Sequence, residues 1–125
     1  MATHEIARDQ WHDFFQEFSN RRKGALVEVD RVSPTNGIKR EVKWLPFAGI
    51  RFDSETVTVL TEGNDAHTID NPRQVYHKSA TGVMSSEETH DELIEVTTTG
   101  DPPITYLRFR PADAPTPAHT NDLES

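Results

Sequence analysis

Six histidines, at positions 4, 12, 67, 77, 90 and 119, are the side chains here best suited to hold a metal or to move a proton near neutral pH. None stands at the H-x-x-x-H spacing that puts two ligands on one helix face, or at an H-x-H spacing on a strand, so no metal site is expected. His67 and His77 carry more weight than the others, because the strands expected around Asp70 bring them near one another. With Tyr76, and Trp44 as a further wall, they outline a candidate pocket for a small molecule or a reaction. Solvent-facing strand histidines are the plainer reading of the same residues.

A second candidate is cationic. Arg21, Arg22 and Lys23 close a helical segment, and Lys39, Arg40, Lys43 and Trp44 follow on the next hairpin, which suits an anion or an RNA backbone with one ring for base stacking. The competing account is structural: the first three complement the negative end of a helix, and the others form the polar face of a strand. Paired carboxylates are plentiful at Glu87, Glu88, Asp91 and Glu92, but consecutive acids in a polar stretch are ordinarily solvated. No cysteine is present, and neither a G-x-S-x-G elbow nor a phosphate-binding glycine loop occurs, so no catalytic residue and no cofactor are expected.

These side chains need a scaffold, and the apolar periodicity supplies one. Trp11, Phe14, Phe15 and Phe18 repeat at i, i+3, i+4 and i+7, one stripe of a helix over about residues 8–23 that ends at Gly24. Such a short helix is marginal alone in water and must dock its aromatic face. Residues 25–32 alternate, as do 38–45 beyond the Asn36-Gly37 turn, with Val42 and Trp44 inward; Pro46 should interrupt the ladder before Ile50 and Phe52 resume it. Further strands are expected over 56–61, 67–70 and 74–78. A last hairpin sets Ile94 and Val96 against Leu107 and Phe109. The expected fold is α+β: the N-terminal helix packed on a curled, mostly antiparallel sheet or small open barrel of about six strands. The organisation that follows is one domain over residues 1–110, with a mobile loop at 79–91 and a disordered, acidic and proline-rich tail at 111–125.

Charge narrows the partners. The chain carries a formal charge of -8, and it is uneven: the first 51 residues hold nine Lys/Arg and seven Asp/Glu, the remainder four and fourteen. That sign disfavours non-specific binding to nucleic acid or to an anionic membrane. No stretch is apolar enough to span a bilayer or to act as a signal peptide, which makes the cytoplasm the expected location.

The segments RDQWHDFFQEFSNRRKG (8–24), LPFAGIRFD (45–53), HTIDNPRQVYHK (67–78) and LRFR (107–110) resemble a family of small bacterial proteins known as domain of unknown function 5335. The resemblance spans about residues 3–110. It implies an architecture and a bacterial, cytosolic origin, and transfers no catalytic residue. The leading expectation is therefore a non-catalytic domain that binds a protein, or itself, through an exposed strand edge or its helix. An RNA- or anion-binding module built on the basic cluster, and a small-molecule binder or enzyme at His67 and His77, are the alternatives.

Overall fold

Alternating apolar residues that face one core generate most of the chain's strands, and a computed structural model describes residues 2–63, 65–79, 91–100 and 102–112. The elements run β1 (Ala2–Ile6), a 3-10 turn (Arg8–Gln10), α1 (Trp11–Arg22), β2 (Leu26–Ser33), β3 (Gly37–Asp53), β4 (Thr56–Thr61), β5 (Asp65–Asp70), β6 (Pro72–Ser79), β7 (Glu92–Thr98) and β8 (Ile104–Arg110). All strand pairs are antiparallel, in the order β1-β6-β7-β8-β2-β3-β4-β5. The sheet is open and has eight strands, larger than the six expected. The loop expected at 79–91 and the tail at 111–125 fall mostly on residues 80–90 and 113–125, which lie outside the described residues.

The strand that the sequence pattern did not mark is β1, whose five residues ATHEI offer too little periodicity to stand out. Its Ile6 side chain is buried, and the carbonyl of that residue accepts the Trp11 indole N–H at 2.8 Å. The other difference is the continuity of β3 through Pro46. Its first part pairs with β2 and its second with β4, and Pro46 stands at the changeover, where a missing N–H costs the ladder little. The Pro46 carbonyl still accepts from Glu62 N at 3.0 Å. Two register shifts, with Trp44 at a φ of 51°, turn that ring away from the core; it stacks under the Arg110 guanidinium at 4.2 Å instead of pointing inward as the alternation suggests.

The helix meets its expectation closely. Trp11, Phe15 and Phe18 are at most 1% exposed, and Phe14 is half-buried against the same cluster. Phe18 packs edge-on to Phe109 at 4.7 Å and to Phe47 at 6.1 Å, while Trp11 meets Phe52 at 5.1 Å. Ser19 Oγ accepts the Ile50 N–H at 2.8 Å, which fixes α1 along the second half of β3. Gly24 adopts a φ of 91° to end the helix and donates to the Phe47 carbonyl at 2.9 Å.

The sheet curls far enough for non-neighbouring strands to touch. Arg31 on β2 donates through Nη2 to the Thr68 carbonyl of β5 at 2.9 Å, although β3 and β4 lie between them in the strand order. No helix among the described residues is long and apolar enough to cross a membrane.

Candidate functional site

The strand alternation splits the histidine pocket expected from the sequence. β5 and β6 follow one another in the chain but sit far apart in the strand order, so His67 and His77 take different partners. Tyr76 and His77 are adjacent on β6 and project to opposite faces. Asp70 accepts a hydrogen bond from Thr56 Oγ1 at 3.3 Å at the exposed end of β5. Of these four residues only Tyr76 lines either of the depressions described below.

His77 joins part of the basic cluster. Arg21 donates from Nη1 and Nη2 to the two Glu92 carboxylate oxygens, both at 3.0 Å, and Arg22 forks onto Asp91 at 3.2 and 2.9 Å. Arg22 also reaches Glu92 at 3.3 Å, and His77 Nε2 donates to Glu92 Oε2 at 2.8 Å. Burial alone would push the Glu92 carboxyl up. The hydrogen bonds from His77 and Arg21, with the charges of Arg21 and Arg22, outweigh it and hold the pKa at about 2. Asp91 and Glu92 are therefore not the solvated acids expected from their polar surroundings; they tie the end of α1 to the start of β7.

Arg40 is likewise engaged. Its Nε lies 2.5 Å from Glu28 Oε2 and 3.1 Å from Asp30 Oδ1, and Asp30 also takes Arg108. Burial, and then the neighbouring Asp30 charge, raise the Glu28 pKa against the pull of Arg40, Arg108 and Lys43. Lys23, Lys39 and Lys43 form no ion pair among the described residues, and they stand in three different places. Lys23 lies at the helix end, Lys43 near Glu28, and Lys39 in register with Arg31 on the core-facing side of the hairpin.

Two of the surface depressions lie beside these networks. The first, about 310 Å³, lies on the face of the sheet away from α1 and is lined by Thr3, Tyr76, Lys78, Leu93, Glu95, Tyr106 and Arg108. Cross-strand register explains it: Tyr76 opposes Glu95, which opposes Tyr106, while Lys78 opposes Leu93, which opposes Arg108. The second, about 300 Å³, opens where the β2–β3 and β7–β8 turns meet, at the end of the strands away from the C-terminus of α1. Arg31, Ser33, Asn36, Gly37, Lys39, Glu41 and Pro102 line it. There Arg31 Nε donates to Glu41 Oε1 at 2.8 Å, and His67 Nδ1 donates to Glu41 Oε2 at 2.8 Å. Burial raises the Glu41 pKa, but His67 and Arg31 together hold it below the usual carboxylate value.

A family of unknown function, DUF5335, matches residues 2–116. The chain belongs to this family. An uncharacterised protein of Aquifex aeolicus (strain VF5) is 24% identical over 94 residues, covering 74% of this chain and 85% of that protein. No solved structure matches the chain.

For this DUF5335 member, sequence reasoning missed Glu28, Asp30, Arg31, Glu41, Tyr106 and Arg108. Some signal was present for the first pair: Glu28 and Asp30 alternate with Val27 and Val29, which places two carboxylates on one strand face. Glu41 had none, because the register shift that turns it toward His67 has no local sequence mark.

Proposed function

We propose that the chain is a non-catalytic, cytoplasmic domain that binds an extended segment of another protein on the outer face of its sheet, beside the open edge at β1. The observation that carries this reading is the depression holding Tyr76, Leu93 and Tyr106 between Lys78, Glu95 and Arg108. Tyrosine and arginine in a concave patch are the residue types that dominate binding energy at protein interfaces. The helix packs on the opposite face, so α1 does not cover this one. At β1 the sheet ends, leaving one flank of a strand available for main-chain pairing with an added strand. Arg108 is already held by Asp30, which leaves Lys78 as the cation for a carboxylate on the incoming segment.

Selection of displayed peptides on the immobilised protein tests the reading. Peptides with an apolar anchor next to an acidic residue should be enriched, and the Y76A/Y106A double variant should bind them about tenfold or more weakly, a loss of about 1.4 kcal/mol. Failure to enrich any sequence, or equal binding by the double variant, would overturn it. Light scattering on the same sample reads whether a second copy occupies the face instead.

A further inference from the structure

We propose that the depression at the β2–β3 turn is a binding site for a small oxyanion, a carboxylate or a phosphate group, held by Lys39 and Arg31. The inference does not rest on the protein-binding reading, since the two depressions lie on different surfaces.

Three observations carry it. Arg31 is positioned before any ligand arrives: Nε is fixed on Glu41 and Nη2 on the Thr68 carbonyl, while Nη1 has no protein partner among the described residues. A guanidinium held by two of its donors loses little freedom when a third is used, so an anion meets a prepared donor. Lys39 faces Arg31 across the hairpin and makes no ion pair among the described residues, so two cations converge on one cavity wall, while Glu41, the carboxylate among the described lining residues, is already satisfied by Arg31 and His67.

The third observation concerns His67. Its Nδ1 donates to Glu41, but Nε2 is buried with no partner among the described residues. The imidazole does not line the depression; it stands at the inner end of the hydrogen-bonded chain His67–Glu41–Arg31, whose outer members do. Glu41 thus links the cavity to an imidazole one step behind it, and an anion that pulls on Arg31 must be felt at His67.

The measurement is a titration of the isotopically labelled full chain with sodium phosphate, sodium acetate and sodium glycolate, followed by amide and imidazole NMR shifts at constant ionic strength. At least one of the three should give saturable shifts at the backbone amides of residues 31–41 together with the His67 ring. K39A should weaken that binding about tenfold, whereas K43A, on the other face of the same strand region, should leave it unchanged; which probe binds best separates carboxylate from phosphate. Shifts that never saturate for any probe, binding that K39A and K43A weaken equally, or a His67 ring that stays still while the amides move would each overturn the proposal. K39Q keeps most of the side-chain length without the charge, so its loss of binding with an otherwise unchanged amide spectrum distinguishes an electrostatic contact from a folding defect.

Discussion

Replacing Glu92 by alanine should destabilise the fold by about 3–5 kcal/mol, the range for removing one partner of a buried ion pair. Glu92 is 7% exposed and receives two bonds from Arg21, one from His77 and a further contact from Arg22. Alanine leaves three donors aimed at a space without an acceptor, and Arg22 is itself well buried. The loss is a large share of the ~5–15 kcal/mol that holds a typical domain together, so E92A should unfold in urea far earlier than the wild type. E92Q retains the volume and one acceptor oxygen and should lose less. An E92A midpoint equal to the wild-type midpoint would show that the network contributes nothing to stability.

The same carboxyl makes a pH prediction whose sign follows from linkage. Its folded pKa of about 2 lies below the ordinary 4.5, so its contribution is fully present above pH 4.5 and is lost as pH falls through about 2. Glu41 acts in the same direction, being lowered by His67 and Arg31. Glu28 acts oppositely: its raised pKa contributes stability in acid, and that contribution fades as pH rises through the folded value. The expected result is acid destabilisation dominated by Glu92, worth on the order of 3 kcal/mol over this window. Urea unfolding at several pH values should show E92Q with a much flatter acid limb; parallel limbs for the two proteins would assign acid unfolding to other groups.

What the sequence disclosed and what it hid divide along a physical line. Local periodicity is visible because neighbours in sequence report on one face: Trp11, Phe15 and Phe18 mark the buried side of α1, and Ile94 pairs with Leu107 as their alternation requires. Polar partnerships are not visible, because they join residues far apart. Arg21 and Arg22 look like free cations until the fold brings Glu92 and Asp91 to them across about seventy residues. Lys39, Arg40 and Lys43 look like one patch until strand alternation and two register shifts send them to different faces. His67 and His77 look convergent because their strands are consecutive, whereas strand order, not chain order, decides contact. Arg31, Glu41 and His67 come together only through the curl that carries β5 back over β2.

The final prediction tests whether the aromatic stripe of α1 is the nucleus of that core. Phe18 touches rings from two separate strands, Phe47 of β3 and Phe109 of β8, and lies 6.2 Å from the His77 ring, so its removal opens a cavity where helix and sheet meet. F18A should cost about 3–5 kcal/mol, as buried phenylalanines do. Phe14, one turn earlier and half-buried, contacts Phe15, Phe18 and the edge of His77, and it has room to lose its ring to solvent. F14A should therefore cost clearly less than F18A. Because F18A can fall below the stability needed for a measurable transition, F18L serves as the graded variant, with a loss of about 1–1.5 kcal/mol for an imperfect apolar exchange. Urea unfolding of the three variants should rank them F18A, F18L and F14A against the wild type, with the first clearly separated. Equal midpoints for F14A and F18A would mean that α1 presents no unique face to the sheet. The tie from Arg21 and Arg22 to Glu92 and Asp91 would then be what sets the position of the helix on the sheet.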